Sequence, residues 1–301
     1  MKIAFPDMIS NSYFPAVAAA ELGCFAREGL EVSLELRAPA GKTFQALADG
    51  EADFVAAEAH AALGPSPGWR GVKLVCALGQ GMYWFLVMRA DLGATRGDVS
   101  CVRGRRIAAA PYVELGLKQL LRDSGIDPDR EVSIAPLEGS LGPKVNIGVT
   151  AAQALADGRI DGFWANGMGA EMAVRRGAGT VVLDVRRGDG PPTAFDYTFA
   201  ALVTSDRVLR EHPGAAAAAR RAIAAAHAAL RDNPELAGEI GRRLFPEENA
   251  ALITELIRRD LPFYDTAISE KAYAGLDRFC RDVGLLDTSV AYADAVAGPD
   301  A

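Results

Sequence analysis

A chain of 301 residues is long enough for two ordinary domains, and 50% hydrophobic with 24% charged residues is the balance of a globular protein with a sizeable core. The net charge of −7 argues against a nucleic-acid partner, which would leave Lys/Arg clusters; the densest basic run is Arg103-Gly104-Arg105-Arg106, read as a solvated turn. The four cysteines, Cys24, Cys76, Cys101 and Cys280, form no CxxC and lie near no histidine, so no metal, no redox pair and no cofactor are expected.

In chain order, residues 2–5 read as a strand, 6–12 as the loop leaving it and 15–22 as a helix. A strand over 31–37 and a small-residue turn over 38–43 lead into a second helix. Short strands follow over 54–57 and 72–78, the first continuing into Glu58-Ala59-His60, and 83–89 is an apolar strand suited to leaving a first lobe. A second lobe starts near residue 90, with a strand over 106–110, a helix over 115–124 closed by Gly125, and a strand over 131–136. A glycine-rich loop over 137–148 precedes another helix, strands over 162–165 and 181–185, and a Gly/Pro-rich loop; residues 197–204 form a strand that re-enters lobe one. From 206 onward the pattern is helical, over 215–231, 246–259 and 269–283; this tail is expected to brace lobe one and to touch no ligand.

One segment occurs twice. Gln45-Ala46-Leu47-Ala48-Asp49-Gly50-Glu51-Ala52-Asp53 returns as Gln153-Ala154-Leu155-Ala156-Asp157-Gly158-Arg159-Ile160-Asp161, an offset of 153 − 45 = 108 residues. Each copy is a helix closed at Asp-Gly and followed by a strand, one αβ step of an open sheet, so the chain is expected to hold two related α/β lobes.

That repeat, together with Glu21-Leu22-Gly23-Cys24-Phe25-Ala26-Arg27-Glu28-Gly29-Leu30-Glu31-Val32, resembles the type II periplasmic-binding-protein family, in the branch that binds sulfonates, taurine, nitrate and thiamine pyrimidine precursors. The resemblance covers nearly the whole chain. It implies an α/β, two-lobed fold in which each lobe is a mixed sheet flanked by helices: lobe one is 1–88 plus 200–301 with the helical tail, and lobe two is 89–199, inserted between two hinge crossings. It further implies a clamshell closing on one small organic ligand, an ABC permease as partner, and a monomer. No secretory leader and no membrane-spanning run is read in the sequence, so the chain is cytoplasmic as written, or periplasmic or lipid-anchored if a leader has been removed.

Ligands of such sheets lie beyond the carboxyl ends of the strands. That rule nominates Ser10, Asn11, Ser12 and Tyr13 in the first loop, Lys42 and Thr43 at the start of the repeated helix, and Glu58 and His60 after the third strand. In lobe two it nominates Tyr112, Asn146, Trp164 and Asn166, with Tyr83 and Trp84 at one crossing and Asp196 and Tyr197 at the other. Helix capping is the alternative reading of Ser12 and Thr43, a core histidine that of His60, and hinge packing that of several aromatics. The ring-rich set favours a planar or aromatic ligand over an inorganic ion.

An enzyme of the same fold is the competing reading, a lyase or hydrolase acting on a small aromatic molecule. Thiamine-pyrimidine synthases similar to this family need a pyridoxal-phosphate lysine and a cysteine-rich run, but 53–69 contains no lysine and Asp196-Tyr197-Thr198-Phe199 no cysteine. Aromatic desulfinases of the fold place a nucleophilic cysteine in the first loop; the matching position here is Ser12, with His60 and Arg70 as candidate partners. A serine needs a base and an orienting acid to act as a nucleophile, and the sequence alone supplies neither.

Overall fold

The computed structural model describes residues 1–142 and 146–301, so part of the glycine-rich loop expected over 137–148 lies outside the described residues. In chain order the elements are β1 (Lys2–Phe5), α1 (Phe14–Glu21), α2 (Cys24–Arg27), β2 (Ser33–Leu36), α3 (Ala40–Ala48), β3 (Phe54–Glu58) and β4 (Val72–Gly79). Then come β5 (Phe85–Arg89), β6 (Arg106–Ala109), α4 (Val113–Asp123), β7 (Ser133–Ala135), α5 (Ile147–Ala156), β8 (Gly162–Ala165), α6 (Gly167–Arg175) and β9 (Gly179–Asp184). The chain ends with β10 (Ala200–Ser205), α7 (Asp206–Glu211), α8 (Ala215–Asp232), α9 (Glu235–Leu244), α10 (Glu247–Asp260), α11 (Glu270–Asp282) and α12 (Tyr292–Ala295). No helix among the described residues is long and apolar enough to cross a membrane.

Two compact units emerge, Met1–Gln80 with Thr198–Ala301, and Gly81–Tyr197. Each is built on a five-stranded mixed sheet, ordered β2-β1-β3-β10-β4 in the first and β7-β6-β8-β5-β9 in the second. The two orders are the same pattern. In each, the fourth strand is the antiparallel one, and it is the first strand after the chain crosses from the other unit, β10 in the first and β5 in the second. Because Phe85–Arg89 is paired on both sides, with β8 and with β9, the chain passes between units at Gln80/Gly81, ahead of the 88/89 boundary read from sequence.

The repeated segment does the same work twice. Gln45 Nε2 donates to Asp49 Oδ1 at 2.9 Å and Gln153 Nε2 to Asp157 Oδ1 at 2.8 Å, while Gly50 (φ +76°) and Gly158 (φ +70°) take the left-handed conformation that closes each helix. The Lys2 amide donates to the Asp53 carboxylate and the Arg106 amide to that of Asp161, each at 2.9 Å. Burial would raise the pKa of either carboxyl, but the strand amide and a guanidinium, Arg207 for Asp53 and Arg106 for Asp161, outweigh it and hold both below the ordinary carboxylate value. Each aspartate thereby ties the end of an αβ step to the start of the neighbouring parallel strand.

The cores are apolar and closed. Phe5, Phe54, Val55, Leu74 and Leu202 are fully buried in the first unit, as are Leu86, Val87, Leu120 and Phe163 in the second; each such side chain contributes about 1.5–3 kcal/mol of transfer free energy. The tail braces the first unit: α8 packs on α1, α2 and β4, Arg220 Nε donates to the Val75 carbonyl at 3.0 Å, and Leu74 forms a bridge with Val296. Among the helices not expected from sequence are α6 and α9. In α6 the reason is local. Gly167 and Gly169 weaken the helical signal, yet a Cβ at Gly169 would stand 2.6 Å from the Gly148 carbonyl oxygen, so close packing of α5 on α6 requires the glycine.

Candidate functional site

In the first unit the loop after β1 turns into α1 through the Ser10 carbonyl, which accepts the amides of Tyr13 (3.1 Å) and Phe14 (3.0 Å). That turn directs three consecutive polar side chains inward: Ser10, Asn11 and Ser12 are each at most 1% exposed. Ser12 is not a helix cap, since the N-cap of α1 is Tyr13, which makes no side-chain capping bond. Ser10 Oγ, Asn11 Oδ1 and Ser12 Oγ are all buried without a hydrogen-bond partner. Buried polar atoms are almost always paired, so three in a row mark a place built to receive another molecule.

Around this loop the carboxyl end of the sheet supplies further polar groups. Tyr13 donates its hydroxyl to Glu58 Oε2 at 2.7 Å, and His60 Nδ1 lies 3.0 Å from Thr198 Oγ1 with its ring edge-on to Phe279. Glu58 and His60 are 1% and 0% exposed. The helical tail, expected to brace the first lobe, also supports this loop. Asp260, at the end of α10, accepts a hydrogen bond from Asn11 Nδ2 and forms an ion pair with Arg259, and Tyr264 donates its hydroxyl to the Asn11 carbonyl at 2.7 Å. Asp260 and Tyr264 are buried at 1% each, so the tail fixes the orientation of Asn11 from 249 residues away in sequence. Tyr264 in turn stacks on His227, at 5.0 Å and 16°.

Three other nominated residues of this unit have different surroundings. Lys42 is exposed, and Thr43 spends its hydroxyl on the carbonyls of Arg37 and Pro39 inside the first turns of α3. Arg70 is exposed and precedes β4, whose first residue Val72 pairs with Ser205. Glu58, by contrast, pairs with Ala200 at the other end of β10. Arg70 therefore sits at the end of the sheet opposite Ser12 and His60, and the three do not assemble into a catalytic group. Ser12 Oγ has no base on it, which leaves it without the activation a serine nucleophile needs.

The second unit presents rings. Tyr83 and Trp84 are each 2% exposed and Trp164 1%; Tyr83 meets Trp84 at 5.0 Å and Trp84 meets Trp164 at 6.2 Å, both tilted. Arg186 lies over the Tyr83 ring, 5.4 Å from its centroid, a cation–π contact. Tyr112 precedes α4 with φ +68°, a left-handed conformation costly for a tyrosine and of the kind that clusters at binding sites. Asn146 and Asn166 act as helix caps: Asn146 Oδ1 accepts the Val149 amide at 2.9 Å, and Asn166 Oδ1 those of Met168 (3.1 Å) and Gly169 (3.3 Å). Tyr197 donates its hydroxyl to Asp123, and Asp196 is half-buried at the end of a short 3-10 turn. Glu114, on the first turn of α4, is a residue the sequence reading missed; its Oε2 is buried without a partner, as is Trp164 Nε1. No cluster of potential metal ligands occurs among the described residues.

With two mixed five-stranded sheets of matching order flanked by helices, the fold is that of type II solute-binding proteins. Among solved structures the chain is similar to the alkanesulfonate-binding protein SsuA from Xanthomonas axonopodis pv. citri bound to MOPS, at 15% identity over 99% of this chain and 97% of that one, with a TM-score of 0.75. It is also similar to a protein from Bordetella bronchiseptica RB50, at 20% identity over 99% and 94% with a TM-score of 0.76. The desulfurization enzyme DSZB shares the fold at 16% identity over 98% and 96%, with a TM-score of 0.65. No match was found among the curated proteins. The NMT1/THI5-like family profile matches residues 10–237, and the chain belongs to that family.

Proposed function

We propose that this protein is a solute-binding protein that takes a small, planar organic molecule and delivers it to an ABC-type importer. The observation that carries this reading is the row of buried, unpartnered polar atoms on Ser10, Asn11 and Ser12 at the carboxyl end of β1, where open α/β sheets hold their ligands. The ring wall of Tyr83, Trp84 and Trp164 in the second unit supports a flat solute, since offset and tilted ring contacts contribute about 0.5–1.5 kcal/mol each beyond area burial. The likeness in fold to a ligand-binding component of an ABC-type import system from Staphylococcus aureus supports a partnership with an importer. Catalysis is the weaker reading, because Ser12, His60 and Arg70 are not gathered and Ser12 has no base.

The test is to release whatever small molecule copurifies with native protein, identify it by mass spectrometry, and add it back. A solute-binding protein returns the molecule unchanged, and its melting temperature rises with ligand concentration as mass action requires. Replacing Ser10 and Ser12 together by alanine should leave the ligand-free protein as stable as the wild type and weaken binding about tenfold or more. Recovery of a chemically altered molecule would establish an enzyme instead.

A further inference from the structure

The end of the first sheet away from the loop over 10–12 holds a cavity of about 400 Å³ that the solute reading does not use. Its walls come from the Asp-Gly close of α3, the segment before β4 and the start of α7. Three arginines, Arg70, Arg207 and Arg210, and two aspartates, Asp49 and Asp206, are among the residues lining it. The arginines are not equivalent. Arg207 is already neutralised: its Nη2 meets Asp53 Oδ1 at 2.9 Å and its Nη1 meets Glu211 Oε2 at 2.7 Å. Among the described residues, the guanidiniums of Arg70 and Arg210 meet no carboxylate and no hydrogen-bond acceptor, although both aspartates line the same cavity. Asp49 accepts from Gln45 Nε2 instead.

Exposed arginines are ordinarily solvated, and two of them on a surface mean little by themselves. The backbone that carries Arg70 argues for more. Trp69 has φ +61°, a left-handed conformation costly for so bulky a residue, following Gly68 at φ +67°. Its indole offsets none of that cost with a hydrogen bond, because Nε1 is buried without a partner in a residue 2% exposed. What the strain achieves is placement. With Trp69 buried on one side and the Gly71 carbonyl accepting the Asp206 amide at 2.9 Å on the other, Arg70 is held at the cavity beside α7. Arg207 and Arg210 stand three apart on α7, so they share a face of that helix.

A concave site with unneutralised guanidiniums attracts an oxyanion, and the planar fork of arginine matches phosphate oxygens two at a time. The aspartates cannot join in holding an anion; they are acceptors suited to hydroxyl groups. The volume is that of a small-molecule site. We infer that this cavity is a second binding site, for a small phosphate ester of a polyol, with Arg70 and Arg210 on the phosphate and Asp49 and Asp206 on the hydroxyls. A lipid headgroup offers the same chemistry, but a net charge of −7 opposes approach to an anionic membrane and favours the free ester.

The experiment titrates the full chain with glycerol 3-phosphate, inorganic phosphate and glycerol by isothermal calorimetry. Glycerol 3-phosphate should bind more tightly than inorganic phosphate, and glycerol should give no heat. Arg70→Gln and Arg210→Gln should each weaken glycerol 3-phosphate about tenfold or more. Neither side chain holds another group of the protein, so the melting temperature should not change. Asp206→Ala should narrow the preference for the ester over inorganic phosphate, which a merely structural role would leave as it was. No binding of glycerol 3-phosphate, or unchanged binding in both arginine variants, overturns the inference. Equal affinity of the wild type for the ester and inorganic phosphate marks an adventitious ion only and overturns it too. Sedimentation with phosphatidylglycerol vesicles without binding of the free ester assigns the cavity to a headgroup and overturns the free ester. Each of these results leaves the solute-binding reading standing, because that reading rests on the opposite end of the sheet.

Discussion

His227 offers a sharp test of how the tail holds the first unit. It lies on α8 at 2% exposure, its Nε2 is 3.0 Å from the Leu78 carbonyl, and its ring stacks on Tyr264. Burial lowers its pKa from 6.5 to about 4, further lowered by Arg231 and partly opposed by the Leu78 carbonyl and Asp265. The sign follows. Above about pH 6.5 the ring is neutral whether the chain is folded or not, so its titration contributes nothing to pH dependence; as pH falls towards 4 the unfolded chain takes up a proton that the folded one resists. At about 1.36 kcal/mol per pH unit, the gap between 6.5 and about 4 removes about 3 kcal/mol of stability by pH 4. His227→Gln keeps a donor for Leu78 but does not titrate. Urea denaturation of both proteins between about pH 7 and pH 4 should show the variant less stable at the upper end, by about 1–2 kcal/mol for the lost ring packing, and about 3 kcal/mol less sensitive to acid across the range. Other titrating groups cancel in the comparison. Parallel profiles would refute the argument.

Further outcomes are expected. Asp53→Asn and Asp161→Asn should each destabilise the protein, by about 1–2 kcal/mol measured by urea denaturation near neutral pH, because each removes the charge that the strand amide and an arginine stabilise; the matched geometry predicts similar losses. Both losses should shrink as pH falls through the depressed carboxyl values, since the wild-type aspartates are then protonated. Gly169→Ala should cost about 1–3 kcal/mol in thermal or urea unfolding, because the new methyl meets the backbone of Gly148 and not the end of a movable side chain. The thiols should resist modification: burial pushes Cys76 up to about 12 and Cys101 to about 11, so a disulfide reagent near pH 8 should titrate four thiols only after unfolding.

Much of the frame is legible in the sequence because its signals are local. Gln-x-x-x-Asp-Gly carries its own capping bond and its own left-handed turn, and the following aspartate needs only the next parallel strand to act upon; two copies therefore announce two similar sheets. Glu58 and His60 could be singled out as polar residues in an alanine-rich context at a strand end, and both are buried among polar partners in the first unit. The contribution of the tail could not be read, because Asp260 and Tyr264 look like ordinary residues at the end of an amphipathic helix and only folding brings them to Asn11. Asn146 and Asn166 carried two meanings at once. Asparagine before a helix is a cap as readily as a ligand, and the cap is what each oxygen does here. Glu114 escaped notice for a related reason: four residues before Lys118 it resembles a solvated pair, and its burial depends on Gly116 letting α4 descend onto Trp84.

Strand β10 sits between β3 and β4 in the first sheet, yet it is made only after the entire second unit. During synthesis the ribosome therefore releases β3 and β4 with their facing edges open, and these stay open while a complete, contiguous second unit folds ahead of them. Unpaired apolar strand edges recruit other chains, so a nascent protein stalled before residue 200 is the aggregation-prone species, and the arrival of one six-residue strand is the event that closes the hazard.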